Sequence, residues 1–225
     1  MHLGLVGGIG PAATDYYYRR LIALAHERGH SLEATIVHAD SPTLLANMAG
    51  GDSAVQLEIY ARLAERLERA GAEVVAITSI SGHFCVEAFK ETSPLPVCDI
   101  LETISAGLVE AGYARVGVLG TRGTMESALF GGVSTAEVVA PRGESIGVVH
   151  DAYVKVAASG VADPMSRRTL VNAGRVLVQE EGVDAVLLGG TDLVVVMDGD
   201  DVDYPVVDCA GLHIEALAGL MVESA

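Results

Sequence analysis

Three pairs of segments recur at nearly the same spacing along this 225-residue chain, and this internal repeat limits the folds that it can adopt. The pairs are Leu3–Gly7 with Val116–Gly120, Glu73–Ser79 with Asp184–Gly190, and Pro96–Asp99 with Pro205–Asp208. Most of these segments are apolar enough to be buried strands, and similar composition alone could produce a single match. Agreement in order and spacing favours a duplicated unit instead.

Between the repeats, short β-branched segments alternate with amphipathic helical patterns, which is typical of α/β proteins with parallel sheets. The predicted strands are Leu3–Val6, Ala34–His38, Glu73–Thr78, Val97–Cys98, Arg115–Leu119, Val138–Ala140, Ala185–Leu188 and Pro205–Val207. The predicted helices are Ala12–Arg28, Ser53–Ala70, Ile100–Glu110, Met125–Phe130, Ile146–Ala158, Pro164–Glu181 and Leu212–Val222. Glycines soon after four of these helices accept the left-handed dihedrals that end a helix, at Gly29, Gly71, Gly112 and Gly182.

We therefore predict an α/β fold of two pseudo-symmetric parallel-sheet α/β lobes with an interlobe cleft. Residues 1–100 plus 208–225 are expected to form the first lobe, and residues 101–207 the second. Ligands of parallel sheets bind where the carboxyl ends of the strands meet the loops. The turns that begin at Ser79 and Gly190, after the repeated strands, are therefore the predicted place for the chemistry.

Composition argues against several classes of protein. Thirty acidic against fourteen basic residues give a formal charge of −16, which repels nucleic-acid phosphates and anionic membrane surfaces. No apolar segment approaches the roughly 20 residues that cross a bilayer. The amino terminus has no basic leader followed by a long apolar region. We expect a soluble, cytoplasmic protein with no nucleic-acid or membrane partner.

The cysteines predict neither a disulfide framework nor a metal centre. Cys85, Cys98 and Cys209 are odd in number and have neither CxxC nor Cys/His ligand spacing. Cys85 lies in a helical segment and is either a displaced nucleophile or, as we favour, a small buried hydrophobe. Cys98 is interpreted as core. Cys209, near the expected hinge, is another candidate nucleophile for which packing is again favoured.

The segment Gly8–Ala13 follows the first predicted strand and satisfies the G-x-G-x-x-A pattern of dinucleotide-binding turns. Pro11 removes a backbone N–H that would hold a pyrophosphate, and Asp40 lies beyond the usual spacing of the acid that binds the ribose. A glycine turn before a helix equally suits a carboxylate, because free N–H groups and the helix dipole attract any anion. We favour a carboxylate at this turn, with Gly8 and Thr14 as binding residues.

Two further segments offer polar groups near predicted strand ends. In Thr121–Ser127, Thr121 and Thr124 are candidate ligand contacts, although Thr124 is equally expected to be only the N-cap of the next helix. The segment His38–Thr43 either lines the ligand site or forms a strand-to-loop turn stopped by Pro42. We favour the turn.

A set of motifs spread over nearly the whole chain carries a resemblance to a known family. The motifs are Gly7–Thr14, Ser79–His83, Val116–Ser127, Leu188–Leu193 and Asp208–His213. In this order they resemble the aspartate/glutamate racemase superfamily. The resemblance implies two α/β lobes with the active site between them. It also implies interconversion of amino acid enantiomers without metal, flavin or pyridoxal phosphate, a small carboxylate or amino acid as ligand, and a homodimer.

The chain departs from the family's pattern at the positions that carry the chemistry. Family members read Cys-Asn-Thr-x-His and Gly-Cys-Thr-Glu, and the two cysteines exchange the Cα proton on opposite faces. By the resemblance, Ser79 stands for the first cysteine, Gly190 for the second and Ile80 for the asparagine. Ser81, His83, Thr191 and Asp192 keep the family's places, with Asp192 standing for the usual glutamate. The predicted catalytic residues are Ser79, His83 and Asp192, and the predicted substrate contacts are Gly8, Thr14, Ser81, Thr121, Thr124, Gly190 and Thr191.

These substitutions change what the site can do. A serine hydroxyl needs an adjacent base, whereas a thiol with a pKa near 8.5 can itself be tuned into one. His83 is expected either to activate Ser79 or to hold the turn through a backbone hydrogen bond. Asp192 is expected either to serve the second face, if burial raises its pKa, or, as we favour, to cap the next helix. Gly190 has no side chain, so two-base racemisation through positions 79 and 190 is excluded.

The leading hypothesis is a cofactor-independent racemase- or isomerase-type enzyme that acts on a small carboxylate such as aspartate or glutamate, with altered proton transfer. The first alternative is a catalytically silent protein that binds such a carboxylate. The second is a decarboxylase or lyase on the same scaffold, since one proton carrier on one face suffices for those reactions. A dinucleotide-dependent oxidoreductase would be based on Gly8–Ala13 alone.

Overall fold

The computed structural model describes residues 1–197 and 202–223, with side chains described as far as residue 221. The chain divides into two compact units, Met1–Ile100 together with the segment that begins at Gly211, and Leu101–Ala210. The predicted lobe limits, after residues 100 and 207, lie close to these boundaries. Residues 198–201 of the predicted second lobe and 224–225 of the first lie outside the described residues.

The first unit contains a four-stranded parallel sheet with the strand order β2-β1-β3-β4. Its strands are β1 (His2–Gly7), β2 (Glu33–His38), β3 (Val74–Ile77) and β4 (Val97–Cys98). Its helices are α1 (Pro11–Glu27), α2 (Ser41–Gly50), α3 (Ser53–Arg69) and α4 (Val86–Thr92), and a 3₁₀ turn at Ser81–Cys85 follows β3. In the register of the sheet, Leu3 lies opposite Val74 and Val75 opposite Val97.

The second unit repeats this sheet with the order β6-β5-β7-β8, again parallel throughout. Its strands are β5 (Arg115–Leu119), β6 (Glu137–Val139), β7 (Ala185–Leu188) and β8 (Val206–Val207). Its helices are α5 (Ile100–Ala111), α6 (Arg122–Glu126), α7 (Ser145–Ser159) and α8 (Pro164–Glu181), with 3₁₀ turns at Leu129–Gly131 and Thr191–Val195. The helix α9 (Cys209–Glu223) belongs to the first unit from Gly211 onward. The predicted α/β fold with two parallel sheets is confirmed.

The central strands are buried on both faces, as parallel strands between helix layers are. Every residue of β3 and of β7 is buried. Helix α3 buries Tyr60, Leu63 and Leu67, which are spaced by about one helical turn and form a stripe on one face. This stripe joins Val75 and Ile77 in one apolar cluster. Burial of each such leucine stabilises the fold by about 1.5–3 kcal/mol, so the sheet forms a rigid platform for the turns that follow its strands.

The prediction of a strand-to-loop turn at His38–Thr43 is wrong, because α2 begins at Ser41. Asp40 is its N-cap, and the Asp40 carboxylate accepts a hydrogen bond of 2.9 Å from the Thr43 backbone N–H. Pro42 lies in the first turn of the helix, where a missing N–H needs no partner. An aspartate closely followed by a proline is therefore a helix-start signal here, whereas the sequence interpretation took the proline as a stop.

Candidate active site

The turn after β1 is closed by hydrogen bonds of its own. The Gly8 N–H donates to the Thr14 hydroxyl oxygen at 2.8 Å, and this hydroxyl donates to the Gly10 carbonyl at 3.2 Å. Gly8 has a φ of +91°, and a Cβ there would lie 2.3 Å from Nδ1 of His38, so only glycine fits. The two predicted binding residues Gly8 and Thr14 therefore contact each other, and the N–H expected to hold an anion is already bonded.

A cavity of about 380 Å³ opens beside this turn in the first unit. Gly8 and Thr14 line it together with Pro11, Tyr18 and His38. Most of the cavity surface is apolar, so it suits the carbon part of a small ligand better than a carboxylate.

The turn after β3 is held by His83. Ser79, Ser81 and His83 are all buried there. Nδ1 of His83 donates to the Ser79 carbonyl oxygen at 2.7 Å. Because a carbonyl oxygen only accepts, Nδ1 carries the proton and Nε2 is the bare nitrogen of the neutral ring. The structure thus contains the backbone hydrogen bond that one of the two sequence alternatives predicts. It leaves Nδ1 unable to take a proton from the Ser79 hydroxyl.

Nε2 of His83 lies near the buried carboxylate of Asp99, which pairs with the partly exposed Lys90. It lies 3.8 Å from Oδ1 of Asp99, whose Oδ2 lies 2.5 Å from Nζ of Lys90. Nε2 has no hydrogen-bond partner within the described part of the chain. Burial lowers the pKa of His83, although the Asp99 carboxylate acts in the opposite direction. The ring is therefore neutral near pH 7, with a buried lone pair on Nε2 and beside it a carboxylate that would stabilise an imidazolium.

A second histidine, His213 of α9, lies next to this group in the first unit. Its Nε2 donates to the Cys98 carbonyl oxygen at 3.0 Å, so its Nδ1 accepts from the Tyr17 hydroxyl, 2.8 Å away. The rings of His213 and His83 stand edge to face, with centroids 6.4 Å apart. Burial, reinforced by His83, lowers the pKa of His213 to about 3. The sequence places His213 only at the end of a motif, and no local pattern announces its buried contact with Tyr17.

The turn after β7, in the second unit, contains a tyrosine that sequence reasoning missed. A Cβ built on Gly190 would lie 2.1 Å from Cε2 and 2.4 Å from Cζ of Tyr153 in α7. The Tyr153 hydroxyl donates to Oδ2 of Asp192 at 3.1 Å, and both side chains are buried. Burial, with the Asp192 carboxylate nearby, raises the pKa of Tyr153 well above its usual value. Asp192 lies inside the 3₁₀ turn that begins at Thr191 and accepts a bond from a neighbouring helix.

The hydroxyls of Thr121 and Thr124 lie 2.9 Å apart, at the start of α6. The prediction of Thr124 as N-cap is wrong, because α6 begins at Arg122 and the Thr121 hydroxyl accepts from the Thr124 N–H at 3.2 Å. The helix also ends earlier than predicted. Ala128, Leu129 and Phe130 have φ values of 49°, 58° and 58°, which no α-helix contains.

Within each unit, the structure brings the first and third strand ends together. The hydroxyls of Thr14 and Thr78 lie 3.4 Å apart in the first unit. In the second unit, a Cβ on Gly120 would lie 2.8 Å from the Gly189 carbonyl oxygen, which places the ends of β5 and β7 side by side. The predicted residues thus form two groups. The first contains Gly8, Thr14, Ser79, Ser81 and His83, and the second contains Thr121, Thr124, Gly190, Thr191 and Asp192.

The cysteines have the surroundings of packed side chains. Cys85 belongs to the apolar cluster of the first unit, and burial raises its pKa to about 11. Burial likewise raises the pKa of Cys209. A thiol that resists ionisation is a poor nucleophile, which supports the packing interpretation over a catalytic one.

Among the helices of residues 1–197 and 202–223, none is long and apolar enough to cross a membrane. The same described residues bring no three His, Cys, Asp or Glu side chains together in the manner of a metal site.

Comparison with known proteins shows that this chain is similar to racemases. The family model for Asp/Glu/hydantoin racemases matches residues 6–217. A Yersinia pestis protein provisionally named an Asp/Glu racemase is 25% identical over 99% of this chain and 100% of its own, with a TM-score of 0.84. An aspartate racemase homologue from Pyrococcus horikoshii OT3 is 25% identical over 98% and 99% of the two chains, with a TM-score of 0.80. A Francisella tularensis glutamate racemase in complex with D-glutamate shares the fold at 15% identity, over 100% of this chain and 82% of its own, with a TM-score of 0.68.

Proposed function

This chain belongs to the Asp/Glu/hydantoin racemase family, and we propose that it is a racemase-type enzyme that acts, without a cofactor, on a small carboxylate such as aspartate or glutamate. The names of the Pyrococcus and Francisella proteins, an aspartate racemase homologue and a glutamate racemase bound to D-glutamate, support this substrate class. The observation that carries the proposal is the buried polar group at the carboxyl end of β3, where Ser79 precedes His83 and Asp99.

In this proposal His83 is the base. Its Nδ1 is held by the Ser79 carbonyl, so Nε2 is the atom that accepts a proton. Burial lowers the pKa of His83 and keeps Nε2 unprotonated near pH 7. The Cα–H bond of the substrate breaks, its proton passes to Nε2, and the carboxylate of Asp99 stabilises the imidazolium until the proton returns to carbon. Ser79, at the position of the first family cysteine, lines the ligand and offers it a hydroxyl.

A second candidate function is silent binding of the same carboxylate. The observation that favours it is position 190, which has no side chain and whose space the ring of Tyr153 fills. A two-base racemase needs a proton carrier on each face of Cα, and this position supplies none. A decarboxylase or lyase, which needs only one carrier, would also be compatible with the proposed base.

The test is hydrogen exchange at Cα. The protein is incubated in D₂O with each enantiomer of aspartate and of glutamate. The Cα proton signal is followed by NMR, and the enantiomers are separated by chiral chromatography. We expect loss of the Cα proton signal with at least one of these amino acids. Ligand-induced thermal stabilisation without any exchange would refute the enzyme proposal and support silent binding. Formation of a new product would identify a lyase or decarboxylase.

The controls are variants of the same chain. Ser79→Ala removes the hydroxyl at the predicted ligand contact, whereas Ser134→Ala changes an exposed loop serine of the second unit. We expect Ser79→Ala alone to weaken binding of the amino acid. The homodimer that the resemblance implies stays a prediction, which light scattering on the purified chain would test.

A further inference from the structure

The surface between α7 and α8 of the second unit contains a cavity that the candidate active site does not use. The cavity has a volume of about 570 Å³ and runs along one face of α8, from Arg168 to Glu180. These residues are twelve positions apart, which is about 18 Å of helix. Val148 of α7 and Val176 of α8 also line the cavity, and they are 56% and 44% exposed. Exposed valines that share one cavity indicate a candidate interaction surface.

The two ends of this face carry opposite charges. Arg168 lies near the amino end of α8 and Glu180 near its carboxyl end, and both side chains are exposed. The helix dipole favours the reverse placement, with acidic groups at the amino end and basic groups at the carboxyl end. Glu181 has an ion pair with Arg142, whereas Glu180 and Arg168 have none within residues 1–197 and 202–223. The placement of these two charges therefore suits a partner of complementary charge.

The charges are also symmetric about the middle of the helix. Arg168 and Glu180 each lie six residues from position 174. When the α8 helices of two copies pack antiparallel about this position, Arg168 of each copy lies beside Glu180 of the other. Val176 is two residues from the midpoint, so the valines of both copies lie near the centre of the contact. A self-complementary surface of this kind fits a second copy of the chain better than an unrelated partner.

We propose that the face of α7 and α8 around this cavity binds a second copy of the chain about a two-fold axis. Arg168 and Glu180 form its charged rim, and Val148 and Val176 form its apolar centre, which is the usual anatomy of a protein interface. Each chain carries a formal charge of −16, so two copies repel one another unless opposite charges meet at the contact. The surface belongs to the second unit alone, and the proposal does not depend on the proposed reaction.

Charge reversal tests the pairing. Light scattering gives the mass of the parent particle, for which we expect twice the 23.3 kDa of one chain. Sedimentation equilibrium gives the dissociation constant of the dimer. We expect Arg168→Glu and Glu180→Arg each to raise this constant by about tenfold or more, because each variant places like charges opposite one another at both ends of the contact. The double variant Arg168→Glu, Glu180→Arg re-forms both pairs, and its constant should return to within about threefold of the parent value.

An equimolar mixture of the two single variants identifies the partner as a second copy. In the mixture, both acidic ends of one chain meet the basic ends of the other. We therefore expect heterodimers to form although each variant alone is mainly monomeric. Single variants that neither the mixture nor the double reversal restores would overturn the proposal, since the charges would then serve another partner.

The control for charge is Arg62→Glu, on the exposed side of α3, which changes the net charge by the same amount. The apolar centre is tested with Val176→Asp, and its control is Val109→Asp on α5, where the side chain is 64% exposed. We expect only Val176→Asp to weaken the dimer. Thermal midpoints confirm that each variant is folded. Where a reversal impairs folding, Arg168→Gln and Glu180→Gln remove the charge without adding another. A monomeric parent chain, or a dimer that the single reversals leave intact, would also overturn the proposal.

Discussion

The carboxyl ends of β3 and β7 occupy the same place in their two sheets, but they carry different chemistry. After β3 come Ser79 and a turn whose His83 lies beside the buried carboxylate of Asp99. After β7 comes Gly190, and the ring of Tyr153 fills the space beside it. Because strand order and parallel pairing are the same in both units, the difference lies in side chains.

This difference shows which features a duplicated fold keeps and which it can change. The paired registers, Leu3 with Val74 and Val116 with Ala185, join strands that are buried on both faces, so a slip would disrupt the packing of both helix layers. The residue that follows the strand is under no such constraint. At Gly190 the backbone is extended and would accept a side chain, so a ring from another helix was able to take its place. The two sheets can therefore keep one strand arrangement while the residues that follow the strands differ.

The largest expected effect concerns the first unit. His83→Gln removes the bare ring nitrogen beside Asp99 while an amide N–H can still reach the Ser79 carbonyl. Loss of a general base lowers rates by about 10²–10⁴-fold, so we expect at least a 100-fold decrease in Cα deuterium exchange. The measurement is the initial rate of exchange in D₂O by NMR. His26→Gln, on the exposed side of α1, serves as the matched control. A folded His83→Gln variant with full exchange would assign the chemistry elsewhere.

The next effect is a pH dependence of stability that belongs to the first unit. Burial lowers the pKa of His213 to about 3, against about 6.5 for an unfolded histidine, and burial also lowers that of His83. Between about pH 3 and about pH 6.5, the unfolded state binds more protons than the folded state. The stabilising contribution of these histidines is therefore complete above about pH 6.5 and decreases as the pH falls. Each such histidine adds a slope of up to about 1.4 kcal/mol per pH unit.

Urea unfolding between pH 7 and pH 5 measures this slope. We expect a smaller slope for His213→Phe, which cannot take up a proton on unfolding, and an unchanged slope for His26→Gln. Equal slopes in all three proteins would show that His213 is not the group responsible. A smaller slope in His213→Phe would assign part of the pH dependence to the buried imidazole of His213 in the first unit.

A smaller effect is expected in the second unit. Asp192→Ala removes the acceptor of the Tyr153 hydroxyl, and an unsatisfied buried hydroxyl costs about 1–3 kcal/mol of unfolding free energy. In a Tyr153→Phe background no hydroxyl is left unsatisfied, so the same substitution should cost less. The midpoints of urea unfolding are measured for the parent chain, the two single variants and the double variant, which together form a double-mutant cycle. An identical cost in both backgrounds would mean that the hydrogen bond does not stabilise the turn.

Only part of the fold, and of the difference between the ends of β3 and β7, could be predicted from the sequence, for physical reasons. Strands β4, β5 and β7 and helix α8 have their predicted bounds, because apolar periodicity and flanking glycine or proline are local signals. The positions of Ser79 and Gly190 follow from the repeat. Tyr153 could not be identified, because its contact with Gly190 arises only when α7 packs over the end of β7. The N-cap role of Asp40 was missed, because Pro42 was interpreted as the end of a turn and not as part of the first turn of a helix.

The smallest effect concerns how the helix that follows the first strand begins in each unit. Thr121 caps α6 with its hydroxyl, whereas α1 begins after Gly10 without any side-chain cap. Removal of a threonine N-cap costs about 0.5–2 kcal/mol, so we expect Thr121→Ala to lower the unfolding free energy by about 1 kcal/mol. The control is Ser134→Ala, in an exposed loop, which should leave the unfolding free energy unchanged. If Thr121 also contacts the ligand as predicted, amino acid binding will weaken more than stability. Urea midpoints with and without aspartate separate the two roles: a decrease that is the same in both conditions would identify Thr121 as a cap alone.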